Sequence, residues 1–87
     1  MSELLIGSNL RRLRFEHGEM SQATLAEIVG VTRQTIVALE TSRYAPSLEL
    51  AMKLATVFGV RVDDLFYWVD ADAARTLYSR QGDKKNG

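Results

Sequence analysis

Residues Gln22–Leu39 read QATLAEIVGVTRQTIVAL, and this stretch decides the fold. Two helices that meet at a sharp angle need a small residue where their backbones approach, and Ala26 lies at that place. The tight turn between them needs a residue that tolerates a positive φ, which Gly30 supplies because it has no Cβ. Apolar anchors are needed after the turn and along the inner face of the second helix. They are Val31, Ile36 and Leu39.

The stretch therefore predicts a helix-turn-helix unit. In such a unit the first helix crosses the phosphate backbone of duplex DNA and the second enters the major groove. The second helix is expected to begin after Thr32, which leaves Arg33 and Gln34 on its first turn. An arginine offers a bidentate fork to guanine O6 and N7, and a glutamine amide can form two hydrogen bonds with adenine, at N6 and N7.

Capping residues and helical spacing extend the prediction outward from this unit. The N-terminal caps are Ser8 or Asn9, Ser21, Thr32 and Ser47, for helices expected over residues 9–17, 22–29, 33–41 and 48–58. Glycine ends three of these helices, at Gly18, Gly30 and Gly59. The side chains expected in the core are Leu10, Leu13, Leu25, Ile28, Ile36, Leu39, Leu48, Ala51, Leu54, Ala55 and Phe58.

The two ends of the chain are expected to meet. Residues 63–66 predict one further helical turn, and the aromatic, β-branched run Phe66–Val69 predicts a strand that pairs with residues 4–6. Asp70 is expected to cap a weak helix over residues 71–78, and residues 81–87 to be disordered. This divides the chain into a domain at residues 1–69 and an extension at residues 70–87.

Composition limits the function. Eleven basic and eleven acidic residues give a net charge of zero, so a DNA-binding face must come from local clustering of arginines. The absence of cysteine and the presence of a single histidine exclude a disulfide framework and the usual zinc sites. No nucleophile–base pair or phosphate-binding glycine loop indicates an enzyme. We expect a cytoplasmic protein without cofactor, small-molecule ligand or membrane segment.

The pattern of the chain resembles the Xre family of phage-repressor-like regulators. The residues that carry the resemblance are Ser21-Gln22, Leu25-Ala26, Gly30-Val31-Thr32-Arg33-Gln34-Thr35-Ile36, Glu40 and Pro46-Ser47-Leu48-Glu49, within a similarity that covers residues 9–68. The resemblance implies an all-α, five-helix DNA-binding domain with short strands at its ends. It also implies a transcriptional regulator, in short members of the family a homodimer that represses from a pseudo-palindromic operator.

The family pattern implies roles for individual residues. Those expected to contact bases are Arg33, Gln34, Thr35 and Ala38, and those expected to contact phosphates are Gln22, Thr32, Arg43 and Tyr44. Arg14 and Glu40 match a structural ion pair that bridges the first and third helices. Arg11 and Arg12 are expected to be merely solvated.

Three positions depart from the family. Glu19 is a one-residue insertion, Ser42 stands where relatives have glycine or asparagine, and Ala38 replaces a longer polar residue.

The aromatic end of the domain predicts a dimer, because an unpaired apolar strand edge would invite aggregation. The interface is expected to include Leu5, Phe66, Tyr67 and Trp68. Two other functions remain open. An antitoxin would use the same fold with a tail that folds on a toxin, and a protein-only adaptor would show no salt-dependent DNA binding.

Overall fold

The computed structural model describes residues 5–79, which fold into six helices and a two-stranded antiparallel sheet. In chain order the elements are β1 (Ile6–Ser8), α1 (Leu10–Glu16), α2 (Gln22–Val29), α3 (Arg33–Glu40), α4 (Leu48–Phe58), α5 (Val62–Leu65), β2 (Phe66–Trp68) and α6 (Ala71–Tyr78). The helical class, the helix-turn-helix and the short terminal strands are all confirmed. Helix α6 adds a sixth helix to the five of the expected domain.

Side-chain caps fix where most helices begin. The hydroxyls of Ser21 and Ser47 accept hydrogen bonds from the backbone N–H groups of residues 24 and 50, and the carboxylate of Asp70 accepts from that of Ala73. Each satisfies a donor that the first helical turn leaves free. Helix α1 differs, because its N-cap Asn9 makes no capping bond. The amide of Asn9 instead donates to the backbone carbonyl of Asp64 at 2.9 Å, which ties α1 to α5.

The core lies between α1, α2, α3 and α4. Its fully enclosed side chains are Leu10, Leu25, Ile36, Leu39, Leu54 and Leu65. Two expected core residues are corrected by the structure, since Ile28 is 54% exposed and Leu48 is 73% exposed. Each stands at the margin of its helix's buried face, where no other described element packs over it. Leu50, which was not among the expected core residues, is buried in their place.

The two ends of the expected domain pair as strands, with a shift of register. Ile6 pairs with Trp68 and Ser8 with Phe66, and the N–H of Val69 donates to the carbonyl of Leu5 at 3.0 Å. The first strand thus begins two residues later than the sequence indicates. Leu4 and residues 81–87 lie outside the described residues. Within residues 5–79, no helix has both the length and the apolar character needed to cross a membrane.

The acidic pair before β2 has a structural role. Asp64 accepts a hydrogen bond from the backbone N–H of Arg61 at 3.3 Å, which caps the short helix α5. Asp63 accepts from the Arg61 guanidinium at 3.0 Å, and this hydrogen bond lowers the pKa of the Asp63 carboxyl from its ordinary value. Both carboxylates therefore lie in the first turn of α5, where negative charge offsets the helix dipole. The helical turn expected over residues 63–66 begins one residue earlier, at Val62.

The turn after α3 has the same hydrogen-bond pattern as the turns that follow α2 and α4, but its backbone is strained. The N–H of Arg43 donates to the carbonyl of Ala38 at 2.8 Å and that of Ser42 to Leu39 at 3.3 Å, which is the Schellman pattern. Ser42 occupies the left-handed position with φ 60°, where Gly30 and Gly59 serve the other two helices. A left-handed residue with a Cβ is disfavoured by about 1–2 kcal/mol.

Replacing Ser42 with glycine should therefore stabilise the protein. We expect the free energy of unfolding to rise by about 0.5–1 kcal/mol, because relief of strain exceeds the extra freedom of the unfolded chain. Urea denaturation followed by circular dichroism measures this change. A lower midpoint for Ser42→Gly than for the parent protein would contradict the assignment of strain to this turn.

Candidate nucleic-acid interface

The first turn of α3 is exposed to solvent. Thr32 caps the helix through its hydroxyl, which accepts from the N–H of Thr35 at 3.3 Å. Thr32, Arg33 and Gln34 are exposed, and Thr35 is half-buried. Neither Arg33 nor Gln34 makes a side-chain hydrogen bond to another described residue, so both are free to contact a ligand. A helix N-terminus that presents such side chains is the part of a helix-turn-helix that reaches base edges.

The turn between α2 and α3 sets the angle of this helix. Gly30 has φ 79°, and the N–H groups of Gly30 and Val31 both donate to the carbonyl of Ala26, at 2.9 and 3.0 Å. Ala26 is only 3% exposed and belongs to the same core cluster as Ile36 and Leu39 of α3. Ile36 and Leu39 hold the inner face of α3 in the core, which leaves its opposite face and its first turn to solvent.

A hydrogen-bonded network ties α3 to α1 and α2. The Nε of Arg14 donates to Oε2 of Glu40 at 2.7 Å, and its Nη2 donates to Oε1 at 3.0 Å. The remaining Nη1 donates to the carbonyl of Met20 at 2.8 Å. Glu40 Oε1 also accepts from Nε2 of Gln22 at 3.0 Å. Since the side chains of Arg14 and Glu40 are 15% and 8% exposed, this network is shielded from water.

The geometry refines the expectation for Gln22. One N–H of its side-chain amide is engaged by Glu40, so its second N–H and the backbone N–H at the start of α2 remain for an anion. Gln22 is thereby held in one orientation at the edge of the groove described next. The sequence alone gave no sign that the phosphate-binding candidate and the structural ion pair share an oxygen atom.

A polar groove of about 640 Å³ runs between α1, the start of α2 and α3. It is lined by Arg11, Arg14, Ser21, Gln22, Ala23, Arg33, Glu40 and Thr41. Because Glu40 neutralises Arg14, the net positive charge of the groove comes from Arg11 and Arg33. The chain is neutral as a whole, but this groove is not.

Arg11 is the functional candidate that the sequence reasoning missed. It was expected to be merely solvated, yet it lines the same groove as Arg33 and Gln22. The spacing of the two arginines could have indicated this role. Residues three apart share a helix face, and Arg14 was already expected on the face of α1 that meets α3. Arg12 faces elsewhere, where it pairs with Glu16 at 3.3 Å.

The loop after α3 extends the exposed face. Arg43 and Tyr44 are exposed, and Tyr44 lines a small cleft together with Thr35 and Gly30. Ala38, one helical turn after Gln34, is half-buried and has only a methyl group to present. The residues expected to contact bases and phosphates, Ala38 included, thus lie on α3, in the loops on either side of it and at the start of α2.

Comparison with known proteins decides the family. The profile of the helix-turn-helix family matches residues 10–65, from the start of α1 to the end of α5. The chain belongs to the Xre-type helix-turn-helix family of transcriptional regulators. The resemblance carried by Ser21-Gln22 and Gly30–Ile36 is thereby confirmed. This family acts through DNA binding and is not a class of enzyme.

Relatives and a solved structure agree. An uncharacterized HTH-type transcriptional regulator of Archaeoglobus fulgidus is 48% identical over 65 residues, which cover 75% of this chain and 91% of that protein. YgzD of Bacillus subtilis, another HTH-type transcriptional regulator, is 42% identical over 65 residues, or 75% of this chain and 96% of YgzD. The crystal structure of a transcriptional regulator from Listeria innocua superposes with a TM-score of 0.61 at 28% identity, covering 88% of this chain and 80% of that one.

The regulator also exposes apolar side chains around its two strands and on α6, and we call this set the terminal surface. Its exposed members are Leu5, Tyr67, Trp68, Val69, Leu77 and Tyr78. The rings of Trp68 and Tyr78 stack with centroids 6.1 Å apart, which fixes α6 against β2. Phe66, also expected at an interface, is half-buried and packs against the core. Helix α6 lies beyond residue 65, where the family match ends.

Proposed function

We propose that this regulator is a cytoplasmic repressor that binds a pseudo-palindromic operator as a homodimer. The observation that carries the proposal is the bare first turn of α3 beside a groove whose free charges are arginines. A protein that occupies an operator excludes other proteins from that site, and repression is the proposed consequence.

Base recognition is assigned to the first turns of α3. Arg33 binds guanine O6 and N7 through its two-pronged guanidinium, and Gln34 bonds adenine. Thr35 and Ala38 offer methyl groups to thymine at neighbouring positions. Their free or half-buried placement on one side of α3 supports these roles.

Phosphate contacts surround this helix. Gln22, Thr32, Arg43 and Tyr44 are proposed for the flanking positions, and the groove adds Arg11. Each of these contacts fixes the register of the protein on DNA without reading its sequence. The N-termini of α2 and α3 contribute backbone donors and the positive ends of two helix dipoles.

The dimer is assigned to the terminal surface. A single small domain buries only about 600–1,000 Å² on DNA, which gives modest specificity. Two copies that join through Leu5, Tyr67 and Trp68 would place two α3 helices about 34–36 Å apart, one helical turn of DNA. The exposure of these aromatic side chains supports the assignment.

Selection of bound sequences from a random DNA pool tests both parts of the proposal. We expect an enriched pseudo-palindrome whose half-sites are centred about 10 base pairs apart, because each half-site meets one copy of α3. An enriched single half-site would exclude the dimer but keep the DNA-binding function. No enrichment, together with binding that does not weaken as salt is raised, would exclude both.

A further inference from the structure

Helices α2 and α4 leave an apolar groove whose large apolar side chains take no part in the proposed DNA and dimer contacts. Only its charged rim, Glu49 and Lys53, adjoins the cleft that holds Thr35 and Tyr44. Three large side chains form it, Ile28, Leu48 and Met52, which are 54%, 73% and 56% exposed. The groove has a volume of about 690 Å³ and is completed by Val29, Val57, Thr56, Glu49 and Lys53. Single exposed apolar residues are ordinary on protein surfaces, but a cluster of three large ones marks an interaction site.

The charges at the rim of this groove favour a second copy of the chain as its partner. Glu49 and Lys53 lie one helical turn apart, each next in sequence to one of the exposed apolar residues of α4, Leu48 and Met52. Within one chain they form an exposed ion pair at 3.4 Å, with side chains 80% and 51% exposed. Such a pair contributes little to the stability of a monomer.

A two-fold contact between two copies would pair the Glu49 and Lys53 charges between the chains. When two copies of α4 cross antiparallel about a two-fold axis near Leu50, Leu48 of each copy meets Met52 of the other. Glu49 of each copy then faces Lys53 of the other, since symmetry forces every contact to occur twice. The groove is therefore complementary to itself both in apolar surface and in charge.

We propose that the α2–α4 groove joins two DNA-bound dimers of this regulator, so that neighbouring operators are occupied cooperatively. The inference rests on the proposed function, since it needs dimers on DNA. Arg33 and Gln34 do not line the groove, and none of its residues belongs to the terminal surface. The large apolar side chains of the groove are thus distinct from the residues proposed to contact DNA and from those proposed to form the dimer.

The test compares binding of the full chain to DNA with one operator and with two. The operator is the sequence obtained by selection, and the distance between two operators is varied in single base-pair steps across one helical turn. At a favourable spacing we expect the second operator to be filled at least about fivefold more tightly than the first, the lower end of ordinary coupling between sites.

Charge exchange across the groove supplies matched variants. Glu49→Lys places lysine against Lys53 of the neighbour, and Lys53→Glu places glutamate against Glu49. Each single variant should reduce the cooperativity factor to about one, whereas the double variant Glu49→Lys/Lys53→Glu should restore it because the pairs re-form with reversed sign. Met52→Gln should also lower the factor, while one-operator binding by Met52→Gln stays that of the parent.

The outcomes separate the two proposals. Normal one-operator binding with no cooperativity at any spacing, or single charge variants as cooperative as the parent protein, would overturn the groove contact and leave the DNA-binding function standing. Failure of the parent protein to bind the one-operator probe would overturn both. Since all four variants change exposed positions, circular dichroism should show the same helix content throughout.

Discussion

Replacing Glu40 with alanine is expected to lower the free energy of unfolding by about 3–5 kcal/mol, the usual effect of removing one partner of a shielded ion pair. The Glu40 side chain is 8% exposed and accepts two hydrogen bonds from Arg14 and one from Gln22. Its loss leaves a guanidinium, itself 15% exposed, with the Met20 carbonyl as its remaining acceptor. The free energy of unfolding of a small domain is about 5–15 kcal/mol in total, so the variant should be partly unfolded at 37 °C.

Urea denaturation measures this change, and the chain offers its own control. Glu16 pairs with Arg12 in the same helix as Arg14, but both side chains are more than half exposed. Glu16→Ala should therefore change stability by no more than about 0.5 kcal/mol. The double variant Arg14→Met/Glu40→Leu should recover most of the loss, since no unpaired charge remains. If Glu40→Ala matched Glu16→Ala, the network would have no role in holding α3.

Replacing Arg33 or Gln34 with alanine should weaken binding to the selected operator by about 1–3 kcal/mol, roughly 5- to 150-fold, and relax base preference at the position read. Both side chains are exposed and free of protein hydrogen bonds among the described residues, so the substitutions should leave the fold intact. Binding to unrelated DNA should change much less, because that binding depends on phosphate contacts.

Arg43→Ala is the matched control for the base-contact variants. It removes the same kind of side chain from the loop beside α3, and it should weaken binding to all sequences alike. The slope of log affinity against log salt should fall by about 0.9 for the lost phosphate contact. Fluorescence anisotropy at several salt concentrations measures both effects. Equal effects of Arg33→Ala on operator and unrelated DNA would place the base-contacting surface elsewhere.

Local chemistry explains why the boundaries of the longer helices were predictable. Caps such as Ser21 and Asp70, and left-handed positions such as Gly30, act on their own neighbours, so their effect is visible in the sequence. The same holds for Ser42, whose unusual conformation follows from its place after α3. Even α6, beyond the family match, begins at Ala71 and ends at Tyr78 as its cap and length indicate.

Burial was less predictable, because it depends on what lies across from a residue. Leu48 fits a helical stripe with Ala51, Ala55 and Phe58, but Leu50 fits another stripe with Leu54 and Phe58. Only the position of α2 decides between them, and it leaves Leu48 outside the core.

The candidate DNA-binding site was likewise predictable only where it depends on a single helix. Spacing placed Arg33 and Gln34 on an exposed turn, since this depends on one helix alone. The grouping of Arg11 with Gln22 depends on how α1 packs against α2, and the bond from Gln22 to Glu40 depends on α3 as well. Contacts among three helices are beyond what periodicity within each can specify.

The bond between Asn9 and Asp64 joins positions 55 residues apart in the chain. The entropy of closing so long a loop must be overcome before β1 can pair with β2, whereas α2 and α3 need only a short turn. Folding should therefore start at the recognition unit and finish at the strands. During synthesis, the chain can form the surface proposed to bind DNA well before it completes the terminal surface proposed for the dimer. A dimer through that surface would then form only after residues 66–69 have been made.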